Sequence, residues 1–256
     1  MPTEFYTKAF FEEHRTGARQ SAEIIVPLLL ELLPVRSVVD VGCGDGTWLG
    51  EFQKHGVSEI LGIDGEYVDR EFLQIPKENF QTRDLTKPFD TGGVFDLAMS
   101  LEVAEHLPAD GAAMFVECLT RLAPIVLFSA AIPFQGGTFH INEQWPDKWA
   151  ALFKKQDYFP IDCIRKRIWE NPAVEWWYAQ NTLLFVRESV LEENIGLKAE
   201  FERNRQNPLN LVHPRRYLGA AEPRQWGVRD ASRLLLDSAK EAAKRRIRSI
   251  FGKGAS

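Results

Sequence analysis

VVDVGCGDGTW, residues 38–48, is the stretch whose reading decides the fold. The apolar run SVVDVG, Ser37 to Gly42, reads as a buried strand, and it passes without a break into glycines at 42, 44 and 46. Thr47 to His55 then reads as a helix. Glycines at these spacings let a backbone turn tightly and approach a ligand where any Cβ would collide. A dinucleotide fingerprint needs G-x-G-x-x-G, but here Thr47 holds that third position and the glycines run G-x-G-x-G, so another nucleoside cofactor is favoured. The plain alternative is a tight structural turn with no ligand.

Working outward, further short apolar strands are expected at Glu59–Ile63, Asn79–Arg83, Phe95–Ser100, Ile125–Ala130, Asp162–Trp169 and Thr182–Arg187, which makes seven with the first. Helical periods precede and separate them: Tyr6–Leu33, closed by Pro34, then Ala112–Leu122 and Gln144–Lys155. This alternation predicts an α/β fold, a mostly parallel doubly wound sheet with helices on both faces. No clear helix separates the last two strands, so an antiparallel pair is expected at the sheet's edge. The domain division read from composition is 1–190 for the sheet domain with its N-terminal cap helix, and 191–256 for an extension. That extension is rich in Arg, Asn and Pro from Phe201 to Asp230 and then returns to a helical period ending in basic residues.

Composition sets the outer limits. With 256 residues, 45% hydrophobic and 26% charged, the chain has enough apolar surface to bury one sizeable core. A net charge of −5 excludes a general affinity for nucleic acid or membrane that rests on overall charge. Cys43, Cys118 and Cys163 are odd in number and far apart, which suits neither a disulfide framework nor a thiolate metal site and points to a reducing compartment. The charged N-terminus lacks a signal peptide's apolar core, and no stretch reaches the length of a membrane span, so the expected location is cytoplasmic.

With an acidic residue two positions before the G-x-G-x-G turn, the sequence resembles the class I S-adenosylmethionine-dependent methyltransferases, of the type 11/23-like kind found in bacterial glycan and secondary-metabolite pathways. The resemblance covers roughly residues 20 to 190 and implies that Asp40, Gly42, Cys43, Gly44 and Gly46 cradle S-adenosylmethionine. Asp64, about 20 residues beyond the loop at the end of the second strand, would accept the ribose hydroxyl protons. Asp84 and Leu85 would contact the adenine, and Leu101 would complete the cofactor wall. For Asp40 a loop-bracing role and a contact to the methionine amine both stay open.

A second constellation follows the fourth strand. In FDLAMSLEVAEHLP, Glu102, Glu105 and His106 stand at i, i+3 and i+4, a spacing that puts three side chains on one face of a helical turn. His140, on a glycine-bearing loop after the fifth strand, would join them at the carboxyl end of the sheet. Two carboxylates and two imidazoles suit a divalent ion such as Mg²⁺ or Mn²⁺. The E-x-x-E-H string resembles that of small-RNA 2′-O-methyltransferases, and also strings in ubiquinone-type O-methyltransferases. The alternative is that the glutamates brace the cofactor loop and His106 packs beneath it. A bound metal would lower the pKa of a substrate hydroxyl and orient it. Without one, His140, His106 or Glu143 must act as general base, with His140 first.

HINEQWPDKW (140–149) and WWYAQN (176–181) concentrate four of the seven tryptophans beside polar groups. Glu143, Trp145, Tyr178 and Gln180 are the substrate-binding candidates, with an amphipathic helix and an edge strand packed on the core as the plain reading. The two strings resemble segments of bacterial methyltransferases of glycan and secondary-metabolite pathways. The function implied is an O-methyltransferase acting on a hydroxyl of a sugar, glycan or other small metabolite, with no nucleic-acid partner. The alternatives are an RNA ribose 2′-O-methyltransferase and a non-catalytic cofactor-binding module. At the far end, Lys240, Lys244, Arg245, Arg246, Arg248 and Lys253 crowd around Ile247, Ile250 and Phe251, a pattern suited either to an exposed soluble helix or to peripheral contact with an anionic membrane.

Overall fold

The structure, a computed structural model, describes residues 8–221, 227–229 and 232–240. Seven strands form one sheet: β1 (Ser37–Val41), β2 (Glu59–Asp64), β3 (Phe80–Thr82), β4 (Leu97–Leu101), β5 (Ile125–Ser129), β6 (Tyr158–Ile161) and β7 (Leu183–Arg187). Their order is β3-β2-β1-β4-β5-β7-β6. The first five strands pair in parallel, and β7 runs antiparallel to both β5 and β6. The expected α/β sheet is therefore present, with the expected antiparallel pair, β7 and β6, at its edge. Chain order reverses between β1 and β4, so the crevice beyond their carboxyl ends is where such a sheet receives a ligand.

Side-chain alternation explains the two layers. Along β1, Val38 faces one apolar cluster and Val39 and Val41 face the other, as period two requires. Helices α1 (Lys8–Leu32) and α2 (Thr47–Lys54) cover the first face through Ile25, Leu29, Leu49 and Phe52. Helices α3 (Ala112–Leu122) and α4 (Pro146–Lys154) cover the second through Phe115, Leu119, Trp149 and Phe153, with the Phe153 ring stacked on Phe185 of β7 at 3.9 Å. Every residue of β1, β4 and β5 is buried, which is why these strands read as mostly apolar runs without polar alternation.

Two segments differ from their sequence reading. Asp162–Trp169 is no strand: β6 ends at Ile161, and a helical turn, α5 (Arg165–Ile168), follows. The cause is Arg165, 1% exposed, which forks onto Asp162 at 2.8 and 2.7 Å and donates to the carbonyls of Gln180 and Leu209. Asp162 lies ahead of the helical turn, and the bend of the chain between Ile161 and Arg165 brings its carboxylate to the buried guanidinium. Likewise WWYAQN is helix α6 (Trp176–Asn181), not an edge strand, so two short helices separate β6 from β7. Beyond β7 come α7 (Glu188–Glu193), α8 (Ile195–Asn204) and α9 (Pro214–Ala221), so part of the stretch read as irregular is helical.

Leu191 and Leu197 join the core, and one compact unit runs to His213. A second begins at Pro214 and includes α9 and a helical segment at 232–240. The basic residues from Lys244 to Lys253 lie outside the described residues. No described helix is long and apolar enough to cross a membrane. All three cysteines are buried and free.

Candidate active site

The loop after β1 is built on backbone that only glycine takes easily. Gly42 has φ +87° and Gly46 has φ +79°. A Cβ on Gly42 would stand 2.3 Å from a Val103 methyl, and one on Gly46 would stand 2.9 Å from Ile75. The turn is tied to β2: Gly42 N donates to the Ile63 carbonyl at 2.7 Å, and Gly44 N donates to Asp64 Oδ2 at 2.7 Å. Asp64 Oδ1 accepts from Gly65 N at 2.7 Å and from the Tyr67 hydroxyl. Burial raises the Asp64 carboxyl above its ordinary pKa while these three donors oppose the rise. Asp40, inside β1, is raised well above the usual range by burial and then by the nearby Asp64 charge.

One cavity of about 390 Å³ opens over this loop. Gly42, Gly44, Asp64, Leu85 and Leu101 line its one part, and Glu102, Glu105, His106 and His140 its other; Trp176, Trp177 and Tyr178 of α6 and Ala18 of α1 are also on its wall. Helix α1 sits tightly on the start of α6, for Ser21 Oγ accepts the Glu175 N–H at 3.0 Å and a Cβ on Gly17 would overlap the Glu175 side chain.

Several sequence candidates lie apart from this wall. Asp84 is exposed and spends its carboxylate on Thr86 and Lys87, which hold its pKa down to about 2. Cys43 is buried and lies against Gly62, where a Cβ would meet its sulfur at 2.7 Å. Trp145 precedes α4 outside the lining. Gln180 is fully buried: its Nε2 donates to Gln135 and Asn181, and its Oε1 accepts from His213 N.

The acidic and imidazole cluster is only in part the expected one. Glu102 has φ +55°, so the helical turn does not include it; the short 3-10 turn starts at Ala104 and carries Glu105 and His106 alone. Ligand atoms of Glu105, His106 and His140 lie within 4.8 Å of one another, without Glu102. Glu102 instead accepts from Asn181 Nδ2 at 3.0 and 3.3 Å and from Gln135 Nε2 at 3.0 Å. Among the described residues neither oxygen of the fully buried Glu105 carboxyl has a hydrogen-bond partner, nor has Nδ1 of His106. Burial and the Glu102 charge push Glu105 well up, while burial and the neighbouring His140 push His106 down to about 4.

His140 is held from behind. Its Nδ1 lies 3.0 Å from Glu143 Oε1, and Glu143 also accepts the backbone N–H groups of Gly136 at 2.8 Å and Phe134 at 2.7 Å. Glu143 therefore folds the 134–143 loop and orients the imidazole. The His140 ring fits because residue 137 is glycine, where a Cβ would stand 2.2 Å from Nε2. Sequence reasoning missed Tyr67, Gln135 and Asn181. Only the run Q-N before a strand, at 180–181, hinted at the amides, and nothing local marked Tyr67.

A family model of a methyltransferase domain matches residues 11–182. Ribosomal protein L11 methyltransferase of Thermotoga neapolitana is 29% identical over 166 residues, 59% of this chain and 58% of that one, so the chain spans less than two thirds of that relative's length. Among solved structures, an amino pentose methyltransferase from Micromonospora echinaspora has a TM-score of 0.53 at 12% identity, over 72% of this chain and 98% of that one. Magnesium protoporphyrin IX methyltransferase of Synechocystis has a TM-score of 0.51 at 20% identity, over 70% of this chain and 88% of that one. At these identities the structures share a fold with this chain and nothing finer.

Proposed function

The chain belongs to the family of methyltransferase domains, and on that premise we propose that it moves a methyl group from S-adenosylmethionine to a hydroxyl of a sugar or other small metabolite. The observation that carries this reading is the continuity of the cavity, in which the glycine loop and Asp64 share one space with Glu105, His106 and His140. The nucleoside belongs at the glycine loop. A carboxylate offers about four acceptor positions and three donors already occupy Asp64, so the two hydroxyls of a ribose diol must displace or share the Tyr67 hydroxyl.

At the other end, Glu105, His106 and His140 fit a divalent ion, since the two orphaned carboxylate oxygens and the orphaned His106 nitrogen are buried acceptors in need of a cation. With Glu102 engaged by amides the set is one carboxylate and two imidazoles, which suits Mn²⁺ better than Mg²⁺. A metal there would acidify an acceptor hydroxyl. In its absence His140, oriented by Glu143, takes the hydroxyl proton, and His106 stays neutral beside it. Trp176, Trp177 and Tyr178 offer flat walls for a sugar ring.

Incubation with methyl-labelled S-adenosylmethionine and a panel of hydroxyl- and amine-bearing sugars, read by mass spectrometry, tests the reading. Methylation on oxygen supports it. Transfer only to nitrogen or to RNA ribose, or no transfer at all, overturns it.

A further inference from the structure

The three donors on Asp64 are divided unequally between its oxygens. Oδ1 accepts from Gly65 N at 2.7 Å and from the Tyr67 hydroxyl, whereas among the described residues Oδ2 accepts from Gly44 N at 2.7 Å alone. Each carboxylate oxygen accepts at about two positions, so Oδ1 is full and Oδ2 keeps one place. A ribose brings two hydroxyl protons to that one place. The acceptor bonded to the same carboxylate is the Tyr67 oxygen, which gives its single proton to Asp64 and keeps lone pairs to accept with. Tyr67 lines the cavity together with Asp64, Gly42 and Gly44. Its ring is held in place: it packs against the core cluster that contains Val38 and Leu49, and it fills the space that a side chain at residue 65 would need, since a Cβ on Gly65 would stand 2.4 Å from its Cε1.

We propose that Tyr67 is a specificity-determining residue of the nucleoside site: one ribose hydroxyl donates to Asp64 Oδ2 and the other to the Tyr67 oxygen. The inference rests on the assignment of the nucleoside to the glycine loop, and it adds a second reader of the sugar. Sharing is favoured over displacement, because a displaced phenol would lose a charge-assisted bond to a buried carboxylate while its ring stays packed. Displacement would also strip Asp64 of the hydrogen bond that most opposes the effect of burial on its pKa. Sharing keeps that bond. The carboxylate polarises the phenol, which makes the Tyr67 oxygen a better acceptor for the sugar. A nucleoside that lacks one hydroxyl then leaves a different residue unsatisfied from a nucleoside that lacks the other, so the two hydroxyls are read separately.

Calorimetric titration of the full chain with S-adenosylhomocysteine and with its 2′-deoxy and 3′-deoxy analogues tests it, on the parent and on Tyr67→Phe. In the parent both analogues should bind more weakly than S-adenosylhomocysteine. Loss of one neutral hydrogen bond weakens binding about 3–10-fold, so Tyr67→Phe should lose that factor for S-adenosylhomocysteine. The variant should also cease to discriminate against one analogue, while it discriminates against the other as the parent does. Equal weakening of all three ligands would show that Tyr67 only braces Asp64, and overturns the proposal. A variant that binds S-adenosylhomocysteine as tightly as the parent, or more tightly, marks displacement and overturns it too, as does loss of both discriminations or a parent that binds either analogue as well as S-adenosylhomocysteine. A parent that binds none of the three overturns the nucleoside reading and the proposal with it.

Discussion

The Asn181 side-chain amide donates to both carboxylate oxygens of Glu102, at 3.0 and 3.3 Å, and holds a residue whose φ is +55°. Gln135 adds a third bond at 3.0 Å. Among the described residues Glu105 receives no side-chain amide, and burial and then the Glu102 charge push its carboxyl well up. Burial raises both carboxyls, but at Glu102 the bonds from Asn181 and Gln135 oppose the rise, whereas at Glu105 the Glu102 charge adds to it.

From that asymmetry follows a stability prediction. The Glu105 pKa is raised in the folded state, so its contribution is present below the unfolded value near 4.5 and is lost as pH rises through the folded value. Glu105→Gln removes this loss. In metal-free buffer at pH 8 the variant should melt at least about 2 °C above the parent, with the gap closing toward pH 4.5. A variant less stable at pH 8 would show that Glu105 is not protonated there.

His106 should stay neutral far below the ordinary histidine range. Its ring resonances in metal-free protein are expected to titrate near about 4, because burial and His140 both oppose the charge. Between the unfolded value and this folded one the unfolded chain binds the extra proton, so stability falls as pH drops through that window. A nuclear magnetic resonance midpoint of about 6.5, the unperturbed value, would contradict the buried placement.

Gly42→Ala should be costly in two separable ways. The left-handed backbone costs about 1–2 kcal/mol for a residue with a Cβ, and overlap with Val103 adds about 1–3 kcal/mol. Denaturant melts of Gly42→Ala with Val103→Ala should recover the second part and not the first. Full recovery would mean that the loop does not need its φ of +87°.

Glu143→Gln places an amide N–H₂ where two backbone N–H groups now donate to a carboxylate. His140 then loses its support, and Mn²⁺ affinity by calorimetry should fall about 10–100-fold with S-adenosylhomocysteine affinity unchanged. Unchanged Mn²⁺ affinity would remove His140 from the metal set.

What the sequence made legible, and what it did not, divides along one physical line. The glycine turn could be read because φ constraints act within a few residues, and β1, β4 and β5 could be read because wholly buried strands are mostly apolar, with only Ser37, Asp40, Ser100 and Ser129 as polar members. The E-x-x-E-H string misled because a spacing of three and four implies a shared face only if the backbone is helical throughout, and the positive φ at Glu102 breaks it. Asp162–Trp169 misled because a fully buried Arg165 depends on partners at 180 and 209, far along the chain. Gln180 read as a substrate contact for the same reason: its partners, Gln135 and His213, come from distant segments.

The most direct measurement is a calorimetric titration of the metal-free chain with S-adenosylhomocysteine, repeated on Asp64→Asn and on His140→Ala. The charged carboxylate's bonds to a nucleoside are worth about 1.5–3 kcal/mol, so Asp64→Asn should weaken binding by at least about tenfold, whereas His140→Ala should leave it unchanged and weaken Mn²⁺ instead. No heat of binding to the parent, or an Asp64→Asn titration that superimposes on it, would contradict the account.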